Sequence, residues 1–322
     1  LRELARVQAT RLHTAADRGD HADRFAAFAE LIAAHQTVVW LGGIIAWLSA
    51  EASIRGTCEH LLKAHLRHPI TDAAWLVDAD AVLARHAQER WLPADAWVAA
   101  IHEEHLDHIQ RTYTDDGTGD GKFLPDEYNK MFHFFENALA DYNGPFATRR
   151  EATAWLAQHV DLLGRLTNTT GRNYLDAEAA MLASAEAAGS RVPSAIDIGY
   201  SRMMHVLRKF EIHVAGTRVV LAIEQYRLAN GGAVPAELDE LGELLPASLR
   251  NDPLSGEPWV YHPHPTSITE YGRNLLPGAK AWPYQLWSRA LPGIEQATEW
   301  SSDPKGGVLI TLPLQGPQYD TP

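Results

Sequence analysis

A chain of 322 residues with 46% hydrophobic and 21% charged content has the makeup of a globular protein with a sizeable core, which excludes a disordered chain. Its formal net charge of -13, with no dense Lys/Arg cluster, repels phosphate backbones and argues against nucleic acid as a partner. Cys58 is the sole cysteine, so an intrachain disulfide and a zinc site built on thiolates are both excluded.

In chain order, Leu1 to Asp17 predicts a first helix, closed by the turn Arg18–Asp23. From Asp23 to Ala34, Phe25, Phe28, Leu31 and Ile32 fall on one apolar face of a second helix. Val38 to His68 continues as helix, with a bend expected at Gly42-Gly43. The apolar run Thr37 to Ala50 falls short of the roughly 20 residues that cross a bilayer and reads as a buried core helix. Pro69 ends this tract, and Thr71 or Asp72 can cap the next helix through Ala87. Pro93 opens a helix to Thr112, and Pro125 opens one to about Asp141. Helices over 148–167 and 171–188 follow.

A long helix is expected over 194–229, with Ile212, Ala215, Val219, Ile223 and Tyr226 forming a buried stripe that Gly231-Gly232 terminates. Pro235 then starts a short helix. After Asp252-Pro253 the texture changes, and Trp259–Tyr261, Ser267–Tyr271 and Val308–Leu312 are strand candidates. The fold class is thus mainly α: antiparallel helical hairpins or a bundle, followed by a long helix and a small α+β C-terminal region. A regular solenoid would need a constant repeat period, which the sequence lacks. By texture the chain divides into a helical body, 1–192, and a C-terminal part, 193–322.

The strongest local motif is DGTGDGKFLPDE, residues 116–127. On the calcium loop of EF-hands, Asp116 takes the first position, Thr118 the third, Asp120 the fifth, Lys122 the seventh through its carbonyl, and Glu127 the twelfth. Gly121 stands where the loop must turn sharply, and Phe123 fills the apolar eighth position. Thr118 replaces the usual Asp or Asn, and Leu124 offers no ninth ligand, so calcium here would be weak and structural. The competing reading is an Asp/Gly-rich turn between helices, in which Asp120 and Gly121 serve backbone geometry.

His102, His105 and His108 form a second cluster. Steps of three rotate by about 60° each, which strains a three-histidine metal site. The spacing is neither the HExxH zinc pattern nor the ExxH di-iron pattern. Trp259, Trp282, Trp287 and Trp300, with Tyr271 and Tyr284, crowd the C-terminal third. Such rings fill a core poor in long elements, form a protein interface, or stack on sugars. No nucleophile elbow, Walker loop or G-x-G-x-x-G occurs.

The stretch Ala222 to Tyr261 carries a resemblance. It reads AIEQYRLANGG, then Val234-Pro235, ELDEL, and Asn251-Asp252-Pro253-Leu254-Ser255-Gly256-Glu257-Pro258 before an aromatic strand. This order resembles the region after the long helix of type II secretion pseudopilins, and more closely a set of planctomycete-type helical proteins of unassigned function. Tyr271-Gly272-Arg273-Asn274 resembles a degraded form of their following strand core, and GGVLITLPLQGP their closing strand. The apolar, Glu-containing first helix of true pilins is not found in this sequence.

The resemblance implies a membrane helix upstream of Leu1, a place in the cell envelope and other protein subunits as partners. The function expected is a non-enzymatic, envelope-associated helical scaffold or accessory subunit. Two alternatives stand beside it: a metal-dependent enzyme using His102, His105 and His108, and a glycan-binding module using the C-terminal tryptophans.

Overall fold

The computed structural model describes residues 2–39, 44–88, 94–131, 145–169, 171–188, 200–253, 255–263, 283–288 and 308–309. Its architecture is mainly α, as expected. The helices are α1 (Arg2–Asp17), α2 (His21–Val39), α3 (Ile44–Arg67), α4 (Ala73–Gln88), α5 (Ala94–Thr112), α6 (Pro125–Met131), α7 (Arg149–Thr167), α8 (Gly171–Ala188) and α9 (Tyr200–Ala229). Local chemistry sets many of their ends. Asp72 Oδ1 accepts the Ala74 N–H at 2.9 Å at the head of α4. Thr148 and Glu151 form a reciprocal capping box on α7. At the end of α9, Gly231 and Gly232 adopt positive φ (66° and 93°). The Gly232 N–H then reaches back to the Arg227 carbonyl at 2.7 Å, which answers one of the orphan carbonyls of the helix.

Of the expected helix over Val38 to His68, α2 holds the start to Val39 and α3 the part from Ile44, while the bend expected at Gly42-Gly43 lies outside the described residues. Among the described residues no helix is long and apolar enough to cross a membrane. The short helix after Pro235 is 3-10 in type, Leu238–Leu244. The sheet has the order β1 (Val260–His262), β2 (Gln285–Ser288), β3 (Val308–Leu309), antiparallel throughout. β2 was not foreseen, and Ser267–Tyr271 lies outside the described residues.

The chain forms two compact units. The first joins Leu1–Trp91 with Leu207–Pro322, and the second is Leu92–Val206. A boundary at 192/193 follows texture along the chain, whereas compactness follows packing. In the first unit the core gathers Leu12, Phe28, Leu61, Leu76, Val214 and Leu221, from α1, α2, α3, α4 and α9. Ile212, Val219 and Ile223 of the predicted stripe are fully buried. Burying side chains of this size contributes about 1.5–3 kcal/mol each, which is what draws the C-terminal helix into the N-terminal bundle. The second unit has its own core around Ile109, Tyr113, Phe123, Tyr128 and Leu156, with α5 and α8 both packed on α7.

Candidate functional site

The predicted calcium loop bridges α5 and α6 in the second unit. Its base is a short antiparallel bridge between Tyr113 and Phe123, with the Thr114 N–H donating to the Lys122 carbonyl at 2.8 Å. That carbonyl is the atom the EF-hand pattern assigns to the seventh position. Asp116 Oδ1 accepts from the Thr118 N–H, the Thr118 hydroxyl and the Gly119 N–H, at 3.0, 2.9 and 3.2 Å. These hydrogen bonds, led by the Thr118 backbone, hold its pKa below the ordinary aspartate value. Asp120 pairs with Arg150, Asp115 with Arg149 at 3.1 Å, and Glu127 with Lys130 at 2.7 Å. The Arg149 and Arg150 N–H groups donate to the carbonyls of Gly121 and Gly119. Gly121 is obligatory, because a Cβ there would stand 1.8 Å from the Thr114 carbonyl oxygen.

Asp116, Thr118, Asp120, Lys122 and Glu127 therefore sit on one loop and its following helix, each held by neighbours in the second unit. Among the described residues no group of three or more His, Cys, Asp or Glu side chains is placed to hold a metal ion.

The histidines lie along α5. His105 is fully buried, its Nδ1–H donating to the Ile101 carbonyl at 2.9 Å, and its ring centroid is 5.4 Å from that of His108. Burial lowers the His108 pKa against the raising effect of Glu104 and Asp107. His102 is half-buried. Of the C-terminal aromatic residues, Trp259 is a core residue whose indole N–H donates to the Leu249 carbonyl at 2.9 Å. Tyr284 is fully buried, and Trp287 lies on β2 opposite Val260 and Leu309. Trp282, Trp300 and Tyr271 lie outside the described residues.

One buried polar constellation was not foreseen as a site. It centres on Glu224 of α9, buried in the first unit. Tyr284 donates its hydroxyl to Glu224 Oε1 at 2.7 Å, and Arg227 Nη1 reaches both carboxylate oxygens at 2.9 and 2.8 Å. His65 Nε2 of α3 stands 3.1 Å from Oε2. His65 Nδ1 accepts the Ile70 N–H at 3.1 Å, so the ring proton sits on Nε2, facing the carboxylate. Burial alone would raise the pKa of Glu224. The contacts from His65, Arg227 and Tyr284 outweigh it and hold the carboxylate below its ordinary value.

A cavity of about 310 Å³ adjoins the hub, lined by His65, Glu224, Arg227, Gly231, Gly232 and Pro283. With both carboxylate oxygens engaged and His65 Nε2 at ion-pair distance, without hydrogen-bond geometry, the group holds charge in place and joins α3, α9 and the approach to β2. The sequence carried half of the signal, since Glu224 and Arg227 lie within the AIEQYR helix exit.

Compared with known proteins, the chain matches no family model, and neither curated proteins nor solved structures give a significant match.

Proposed function

We propose that the chain is a non-enzymatic scaffold or accessory subunit of an envelope-associated assembly. The observation that carries this reading is the Glu224 hub. Its carboxylate is held ionised by three different side chains, which makes it a poor general acid and a strong tie between elements. Glu224 and Arg227 of the hub sit in the stretch Ala222 to Tyr261 that resembles the pseudopilin element, and further ties anchor that stretch. Tyr261 donates to the Pro235 carbonyl at 2.9 Å, and Ser288 donates to the buried Asp252 at 2.7 Å. Polar side chains that fix a small α+β region against a long helix suit a part that is presented to partner subunits.

The Asp116 loop is read in the same way, as a turn latched by Arg149 and Arg150, with calcium as the competing occupant. The test of function is to isolate the full-length protein from its native cells in mild detergent, fractionating envelope from cytosol, and to weigh what migrates with it. The expected result is an envelope-fraction complex of fixed stoichiometry. A solitary protein with metal-dependent turnover that vanishes in His105→Ala would overturn the reading.

A further inference from the structure

A second cavity of the first unit, about 420 Å³, is walled by the α1–α2 turn, the start of α2 and the end of α3. Its wall includes Asp17, Arg18, Gly19, His21, Arg24 and His68. Arg24 is the unusual member, since it is an arginine with only 1% of its surface exposed. Its guanidinium carbon lies 5.5 Å from the centre of the Trp75 ring, and Nη1 donates to the His68 carbonyl at 2.9 Å. Nε and Nη2 are buried with no hydrogen-bond partner among the described residues.

Those two atoms form one edge of the guanidinium, with parallel N–H bonds spaced to meet two oxygens of a carboxylate or phosphate. Arg218 uses this same edge in the same unit, where Nε and Nη2 hold Asp80 Oδ1 and Oδ2 at 2.7 and 3.2 Å. Leaving such donors unanswered is costly, and native interiors rarely do so.

We propose that the cavity bounded by Arg24 is a binding site for a small oxyanion, a carboxylate or phosphate group, which a local shift of the wall lets Arg24 Nε and Nη2 hold side-on, since both atoms are closed to solvent in the unliganded chain. The surroundings fit that ligand. The first turn of α2 borders the cavity; Asp20 already takes the N–H groups of Asp23 and Arg24 there, so the side chains carry the fit. His21 Nδ1 is a further buried nitrogen with no partner among the described residues. Asp17, the carboxylate of the wall, is held by His68 Nε2 at 2.9 Å, and Arg18 is paired with Asp23 at 3.1 Å. The volume is within the usual range for small-molecule sites. Burial lowers the Arg24 pKa to about 10, so the guanidinium stays charged at neutral pH.

The experiment follows the arginine Nε–H resonances of the full chain while acetate or inorganic phosphate replaces chloride at constant ionic strength. One resonance is expected to move saturably and to be missing in Arg24→Met, and the stronger of the two anions identifies the ligand as carboxylate or phosphate. Arg24→Lys, which keeps the charge but loses the fork, should weaken that anion at least about tenfold. Should Arg24→Met fail to fold, the wild-type titration still decides. No saturable shift up to about 0.1 M of either anion, or an equal response in a folded Arg24→Met or Arg24→Lys, overturns the site.

Discussion

Arg218 and Arg24 turn the same edge of the same group into the first unit, and they meet different surroundings. Arg218 finds Asp80 there and forms a bidentate pair, whereas Nε and Nη2 of Arg24 find no acceptor among the described residues. The Glu224 hub is the extreme of the first condition, with a carboxylate contacted from three side chains. The contrast separates two uses of buried charge. Where a group has its partners it ties elements together, and where an edge is left over it waits for a ligand.

The hub breaks most dramatically. Glu224→Ala leaves Arg227 and the Tyr284 hydroxyl without their acceptor inside the core, and should cost about 3–5 kcal/mol of unfolding free energy in urea titration. Its acid behaviour sharpens the point. The folded pKa of Glu224 is depressed, so its contribution is fully present above the unfolded value of about 4.3 and is lost as pH falls through the lower folded value. Stability curves of wild type and Glu224→Gln should therefore converge towards the acid end.

The second unit should respond to acid earlier. His159 is buried against Trp155, with ring centroids 4.7 Å apart, and burial lowers its pKa to about 4. Between that value and the ordinary histidine value of about 6.5, the unfolded chain binds the proton and the folded chain resists it. Stability from this source is whole above about pH 6.5 and falls by about 3 kcal/mol by pH 4. His159→Leu should flatten that slope in amide exchange of α7, and an unchanged slope would remove His159 from the account.

The helical frame was legible because its signals are local. Asp72, Pro125 and Gly231 mark ends that adjacent residues enforce, and the stripe Ile212, Val219, Ile223 follows from helical period alone. The hub was half legible. Glu224 and Arg227 share one turn of helix, but His65 and Tyr284 arrive from distant segments that only tertiary packing brings near. β2 escaped notice for the same reason, since its four residues become a strand by pairing with β1. Arg24 sits in a polar turn sequence, RGDHADRF, where nothing local distinguishes a buried arginine from a solvated one.

Paired methionine substitutions probe the contrast between the two arginines directly. Arg218→Met strands the half-buried Asp80 and should destabilise by about 2 kcal/mol. Arg24→Met removes a buried charge that lacks a counter-charge and keeps the apolar stem against Trp75, so it should stabilise by about 1 kcal/mol. Opposite signs from one chemical change, read as urea midpoints, would confirm that the two edges differ in what answers them. A residue kept at a cost in stability is the expected mark of a binding site.

The smallest effect is expected at the Asp116 loop, where the comparison passes to exposed groups. Its carboxylates are already engaged, Asp116 by its own loop and Asp120 by Arg150, so a cation would have to displace those contacts. A site of about millimolar affinity in 10 mM calcium would add about 1.4 kcal/mol to the second unit. The latch reading expects no gain beyond that of the same concentration of magnesium, by thermal unfolding of the full chain. Asp116→Ala should lower the unfolding midpoint slightly and equally in either metal, since it removes the acceptor for the Thr118 and Gly119 N–H groups. A calcium-specific gain that Asp116→Ala abolishes would make the loop a true cation site and overturn the latch.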